Sequence, residues 1–309
     1  SIKCSGNWMW AGKDETQGYH LYMAVKAVSE LLEKLKIAID GGKDSMSMKV
    51  NTEKTTIKSP NSFVVSGYAP CPNIEQVITP DLKRTDSHLF FIDLANHEAK
   101  LGGSALAQVY NQIGDEFPDI RSNKDIEIIK IAFEEIQKLI AENKILAGHD
   151  RSDGGLITTI IEMCIAGDKG CQLDINPENA EITALEYLFA EELGLVIEIE
   201  HPAILNKYVN RLPLTYLGRT TKQKQLRVNY DTKKVVDMSI SELRDIWENT
   251  SFEIEKLQAN PECVKQEKYN VHVLPKYHIS NELRTSLQNI SLPTPTPTNV
   301  FFLYFTNCF

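Results

Sequence analysis

The sequence predicts an α+β fold with mixed sheets, divided into two units near residue 85. Three observations carry this. Helical and strand patterns alternate along the chain, β-rich runs flank polar turn signals, and 309 residues make about two domains at roughly 150 residues each. Hydrophobic residues make up 42%, enough at this length to bury a core without disulfides or metals. Charged residues make up 24%, close to the globular average, which excludes global disorder. The longest apolar runs, such as residues 193–199, fall far short of the roughly 20 residues of a membrane helix. Ser1-Ile2-Lys3-Cys4 shows no charged-then-apolar signal and no starting Met, so the chain is expected to begin inside a longer one.

Taken in order, Tyr22, Val25, Val28, Leu32 and Leu35 recur at helical spacing and predict a helix over 19–36. Residues 37–39 are a short apolar strand. Residues 55–58 and 63–69 are β-rich, and Ser59-Pro60-Asn61 between them predicts an antiparallel pair. The polar stretch 80–86 reads as a link. Residues 88–94 form a strong strand, and Leu101-Gly102-Gly103-Ser104 opens a helix to about Asn111. Asn123 can cap a long helix with Ile126, Ile129, Phe133, Ile136 and Ile140 on one face. Residues 145–147 form a strand that ends at 149–155, where a helix begins and runs to about Ala166. Strands follow at 193–199, 216–217 and 226–229, and from Ser239 the pattern is helical. The expected divisions are 1–85, 86–235, a helical extension at 236–272, and a tail at 273–309. Pro-Thr repeats at 293–298 predict no fixed structure for that tail.

With 33 basic and 42 acidic residues the net charge is −9, which argues against a general nucleic-acid binder. A nucleotide ligand is not excluded, because backbone N–H groups and Mg²⁺ can hold phosphates without a basic surface. Cys4, Cys71, Cys164, Cys171, Cys263 and Cys308 form no CxxC pair and are scattered. They read as reduced core thiols of a cytoplasmic protein.

Residues 149–155 carry the most chemistry. Gly154 and Gly155 would let backbone N–H groups approach an anion at a helix N-terminus. Asp150 and Asp153 offer hard oxygen ligands for Mg²⁺, and Ser152 can donate to a phosphate. The plainer alternative is an Asp/Ser helix cap with a glycine turn. Lys43, Asp44 and Ser45 follow a strand end and a glycine pair, which suggests a phosphate cradle or a plain turn; the spacing is not that of a Walker A loop. Gly102, Gly103 and Ser104 are a weaker version of the same pattern. Asn7-Trp8-Met9-Trp10 reads as a core or interface anchor more than a base-stacking site. His149 suits an acid, a base or a loop-orienting group. Glu191-Glu192 reads as a solvated or capping pair rather than a metal site.

In order along the chain stand Lys3-Cys4-Ser5-Gly6-Asn7-Trp8-Met9-Trp10, Asp40-Gly41-Gly42-Lys43-Asp44-Ser45-Met46-Ser47-Met48 and Leu101-Gly102-Gly103-Ser104. After them come His149-Asp150-Arg151-Ser152-Asp153-Gly154-Gly155 and Phe189-Ala190-Glu191-Glu192-Leu193-Gly194. Together these motifs closely resemble the phosphoribosylformylglycinamidine synthase family of the large, single-chain type, from residue 1 to about Lys268. Leu217-Gly218-Arg219-Thr220 and Asn260-Pro261-Glu262-Cys263 extend the match. The resemblance implies an AIR-synthase-like N-terminal domain followed by an AIR-synthase-like C-terminal domain, the second such repeat of a longer enzyme. It implies conversion of formylglycinamide ribonucleotide, ATP and glutamine into formylglycinamidine ribonucleotide, a ligase step of purine synthesis with ATP and Mg²⁺ as cofactors. By the family's His-Asp-x-Ser-Asp-Gly-Gly motif it places a Mg²⁺ ligand on Asp150 and an ATP contact on Ser152. Gly154 and Gly155 lie beside that contact. Weaker phosphate or substrate contact is implied for Lys43, Asp44, Ser45, Gly102, Gly103 and Ser104.

The resemblance also implies partners that this chain does not contain: a first repeat, a Glu and an Asn ligand upstream of Lys3, and a glutaminase domain with a Cys-His-Glu triad. The isolated chain is therefore expected not to use glutamine. A rival reading is a non-catalytic module that holds nucleotide or mediates assembly. Other enzymes of the superfamily, a selenophosphate synthetase or a thiamine-phosphate kinase, are disfavoured by residues 7–10 and 260–263.

Overall fold

The computed structural model describes residues 2–120, 122–177, 181–208, 210–273 and 300–305. It opens with β1 (Lys3–Met9), α1 (Gln17–Leu35), β2 (Ala38–Gly41), β3 (Lys49–Asn51), β4 (Thr56–Lys58) and β5 (Ser62–Pro70). β6 (His88–Asp93), α2 (Ala105–Val109), α3 (Asn123–Ala141), β7 (Ala147–Asp150), α4 (Gly155–Gly167), β8 (Gly170–Ile175) and α5 (Ala184–Phe189) come next. β9 (Gly194–Ile199), β10 (Leu214–Thr221), β11 (Gln225–Tyr230), β12 (Lys233–Ser239), α6 (Ile240–Glu255), α7 (Pro261–Asn270) and β13 (Val300–Phe305) complete it. The α+β class expected from the sequence is the one observed.

Two larger sheets organise these elements. One runs β13-β5-β1-β2, the other β12-β11-β8-β10-β6-β9-β7. In the first, β1 pairs antiparallel with β5 from Lys3↔Tyr68 to Met9↔Ser62, and parallel with β2. The sequence pattern leaves β1 unassigned and pairs 55–58 with 63–69. Instead β4 pairs with β3. The Thr52 hydroxyl closes that hairpin by donating to Thr55 O at 2.8 Å and accepting from Thr55 N at 3.0 Å. Pro60 has no N–H to offer a continued ladder.

In the seven-stranded sheet, period-2 alternation sends neighbouring residues to opposite faces. Phe91 and Val196 pack with Leu156, Ile160 and Met163 of α4. Ile92 and Ile197 join Ala132 and Leu139 of α3 in a separate cluster. α3 begins with a capping box in which Ser122, not Asn123, is the cap. α2 is shorter than expected and ends at Val109. The sequence pattern also leaves β8, central to the sheet, and β12 unassigned. α1 carries the predicted apolar stripe, yet none of its residues is buried. A cavity of about 420 Å³ lies beside it, lined in part by Trp8, Val28, Leu32, Ile39 and Phe63.

The polar link around 80–87 is held by one carboxylate. Glu198 on β9, fully buried, accepts from Lys83 N at 2.7 Å, Arg84 N at 3.0 Å and the Ser87 hydroxyl. Glu198→Ala strands the Lys83 and Arg84 N–H groups, while the Ser87 hydroxyl keeps Thr220 Oγ1 at 2.7 Å. It is expected to lower unfolding free energy by at least about 3 kcal/mol, read from denaturant midpoints. Of the expected tail, residues 274–299 and 306–309 lie outside the described residues. Residues Val300–Phe305 pair antiparallel with β5.

Candidate functional site

β6 ends at Asp93, β7 ends at Asp150 and β9 begins at Gly194. Pairing of Asp93 with Gly194 and of Asp150 with Leu195 puts all three strand ends at one edge of the sheet. The segment 151–154 leads from β7 into α4. Gly154 and Gly155 have φ of +82° and +73°, the left-handed region that favours glycine. A Cβ on Gly155 would stand 2.6 Å from the Phe189 carbonyl carbon and 2.7 Å from Leu188 O. The glycine pair is thus required by close packing on the end of α5.

Asp150 and Ser152 come together, with the Ser152 hydroxyl donating to Asp150 Oδ2. The other oxygen, Oδ1, lies 3.2 Å from His149 Nδ1, and His149 Nε2 lies 3.0 Å from Glu162 Oε2 on α4. These two carboxylates push the His149 pKa up to about 9. The His149 contact, with help from Ser152, brings Asp150 down to about 2, so it stays ionised. The Asp150 side chain is 45% exposed and reachable from solvent. Asp153 is exposed.

The cap alternative for Asp150 does not describe this loop: the cap of α4 is Gly154, with no side-chain hydrogen bond of its own. The Gly154 N–H instead donates to Glu191 Oε1 at 2.7 Å. The same oxygen accepts from Ala105 N at 2.8 Å, at the start of α2. Glu192, buried, accepts from Lys100 N at 3.2 Å, and burial raises its pKa. Arg151, also buried, donates from Nε to Glu192 O and from Nη2 to Leu193 O at 3.2 Å, with its guanidinium 4.7 Å from the centre of the Phe91 ring. Residues 100–105, 151–154 and 191–193 therefore form one connected platform. Of the pair expected to be solvated or capping, Glu191 accepts from N–H groups at two helix starts and so serves two loops at once, whereas Glu192 is buried rather than solvated and accepts from a loop N–H. Nothing local in the sequence signals that double contact, or the one between His149 and Glu162.

The remaining candidates are held differently. Gly102 N donates to Glu116 O at 3.0 Å, Gly103 N to Ile113 O at 2.8 Å and Gly155 N to Ser152 O at 3.0 Å. Ser104 is buried, donates to Leu101 O at 2.7 Å and caps α2 by accepting from Ala107 N at 3.2 Å. Lys43, Asp44 and Ser45 sit with the other sheet. Lys43 N donates to Asn7 Oδ1 at 2.6 Å, Lys43 Nζ to Ser45 Oγ at 2.7 Å, and Trp8 N to Asp44 Oδ1 at 3.0 Å. Trp8 stacks on Phe63 at 4.0 Å, the anchor role expected of it. Among the described residues, no group of three or more His, Cys, Asp or Glu is arranged to hold a metal. For Mg²⁺ the loop supplies the ionised Asp150 carboxylate, with the exposed Asp153 three residues on, donors of the right hardness that leave the other positions to phosphate and water. Cys164 and Cys171 are buried with sulfurs 3.4 Å apart, as core thiols. No helix among the described residues is long and apolar enough to cross a membrane.

The two shifted groups set a pH dependence. His149, raised above its usual 6.5, contributes stability that is complete below that value and lost as pH climbs through about 9. Asp150, lowered from its usual 3.8, contributes stability that is lost as pH falls through about 2. Thermal midpoints are expected to drop between neutral pH and about 9. His149→Gln should flatten that limb.

Residues 1–70 match the FGAR-AT PurM_N-like domain family, and residues 94–231 match the AIR synthase related protein C-terminal domain. A probable chloroplastic/mitochondrial phosphoribosylformylglycinamidine synthase of Arabidopsis thaliana is 44% identical over 86% of this chain and 19% of its own length. The phosphoribosylformylglycinamidine synthase of Homo sapiens is 40% identical over 86% of the chain and 20% of its own length. Among solved structures, Thermotoga maritima PurL complexed with ATP matches at TM-score 0.53 and 13% identity, over 78% of this chain and 37% of that one. That likeness shows the fold. The chain spans about one fifth of the curated relatives it matches. With two family domains in order and relatives 37–44% identical over most of its length, the chain belongs, as a part, to the phosphoribosylformylglycinamidine synthase family.

Proposed function

We propose that this chain contributes an ATP-holding segment to an enzyme converting formylglycinamide ribonucleotide, ATP and glutamine to formylglycinamidine ribonucleotide in purine synthesis. The observation that supports it best is the pair at the end of β7: an ionised, solvent-reachable Asp150 carboxylate beside the Ser152 hydroxyl. Relatives carrying this reaction's name, and a T. maritima PurL bound to FGAR at TM-score 0.55, support the assignment. In the reaction the glycinamide carbonyl oxygen takes the γ-phosphoryl group as ADP leaves, and ammonia from glutamine then displaces phosphate at that carbon, leaving the formyl group untouched. Mg²⁺, when bound, offsets phosphate charge. Asp150 would hold that ion, and Ser152 would donate to a phosphate oxygen. Gly154 and Gly155 shape the loop; Gly102, Gly103 and Ser104 shape the neighbouring one. Lys43, Asp44 and Ser45 belong to a separate surface open to substrate. The site of action is the cytoplasm, consistent with free, buried Cys4, Cys164 and Cys171. The first repeat and the glutaminase domain are the partners this reading requires.

A second reading, nucleotide held without turnover, draws on the lack, among the described residues, of a cluster of three or more metal-ligating side chains and on glycine N–H groups already engaged. Calorimetric titration of the 309-residue chain with ATP, with and without Mg²⁺, tests the shared claim. Mg²⁺-dependent binding is expected, and no binding under either condition would overturn both readings.

A further inference from the structure

We infer that Glu191 is a positioning residue that makes the two loops at this sheet edge a single unit, so that the Asp150–Ser152 loop holds nucleotide only while Glu191 ties it to residues 100–105. The inference rests on the nucleotide reading above. One oxygen, Oε1, takes both Ala105 N at 2.8 Å and Gly154 N at 2.7 Å, joining segments 86 and 37 residues away in sequence. The carboxylate sits on the connection between α5 and β9, which is fixed from the other side. Arg151 donates to the carbonyls of Glu192 and Leu193, and its own N–H donates to Gly194 O at 2.8 Å. Glu192 takes Lys100 N, so the same dipeptide grips the first loop twice. Without Glu191, the N–H of Gly154, the cap of α4, and the N–H of Ala105, which starts α2, lose the acceptor they share. The orientation of Ser152 and Asp150, just before the Gly-Gly turn, then depends on the loop alone.

A bridging role and a phosphate-like plug predict opposite results. If Glu191 only filled an anion position at these N–H groups, its removal would free them for phosphate and tighten binding. If it positions the loops, removal weakens binding, and glutamine, which keeps an oxygen at the same reach, restores it.

The test uses the full 309-residue chain, with ATP as the probe. Glu191→Ala is expected to weaken Mg²⁺-ATP binding about tenfold, in the range seen when groups behind a metal ligand are removed. Glu191→Gln should stay within about twofold of the unmodified chain. Glu191→Asp, one methylene shorter, should fall with the alanine variant. Adding Mg²⁺-ATP should slow amide exchange at Ala105 in the unmodified chain but not in Glu191→Ala, a readout that mere loss of stability would not produce. Unchanged or tighter ATP binding by a folded Glu191→Ala overturns the positioning role and leaves the nucleotide reading standing. An unmodified chain that binds no ATP overturns the nucleotide reading and, with it, this role for Glu191. Should Glu191→Ala not fold, the contrast between Glu191→Gln and Glu191→Asp decides the matter.

Discussion

Asp150→Asn is expected to weaken Mg²⁺-dependent ATP binding by this chain about tenfold to a hundredfold while leaving the fold in place. The substitution keeps the size of the side chain and an oxygen to accept from the Ser152 hydroxyl. It removes the negative charge that a hard cation needs. It also removes the charge partner that, with Glu162, holds His149 protonated. The alkaline fall in stability should therefore begin at a lower pH. Because Asp150 is 45% exposed, its pairing with His149 is partly screened, and little loss of stability at neutral pH is expected. Ser152→Ala should do less, since it removes one hydrogen bond worth about 0.5–1.5 kcal/mol, somewhat more to a charged phosphate. Titrations of ATP against Mg²⁺ concentration separate the two variants. If Asp150→Asn binds Mg²⁺-ATP as the unmodified chain does, the metal-ligand assignment is wrong.

The second large effect is on stability. Gly155→Ala should cost about 3 kcal/mol or more, from a left-handed backbone at a non-glycine residue plus overpacking against backbone. The added Cβ meets the Phe189 carbonyl carbon at 2.6 Å and Leu188 O at 2.7 Å, neither of which is the free end of a flexible side chain. Relief requires α4 and the end of α5 to separate. Ala190, Glu191 and Glu192 come directly after α5, so the platform would shift with it and ATP binding should weaken in parallel. Gly41→Ala is the control: a Cβ there meets nothing within 4 Å, and its effect should be within about 0.5 kcal/mol. Urea unfolding of both variants measures the difference, and a Gly155→Ala midpoint equal to that of Gly41→Ala would refute the packing argument.

Much of the fold was legible in the order of residues. The apolar spacing from Ile126 to Ile140 marks α3, and the continuous apolar run 89–92 marks a strand buried on both faces. The left-handed glycines and the Asp-x-Ser pair mark the loop after β7, and the ordered motifs carry the family. These signals lie within a few turns of backbone, where φ/ψ preference and side-chain period act directly. Tertiary structure decided the rest. Residues 56–58 pair backward with 49–51 rather than forward, because the Thr52–Thr55 turn joins them closely and Pro60 interrupts any ladder toward β5. α1 has the pattern of a packed helix, and only the arrangement around it left every one of its residues unburied. Glu191 has the sequence setting of a local cap. It is a bridge because strands β6, β7 and β9 bring Ala105 and Gly154 to the same oxygen, across 86 and 37 residues. Contacts over such separations depend on which strands pair, and no local period records that choice.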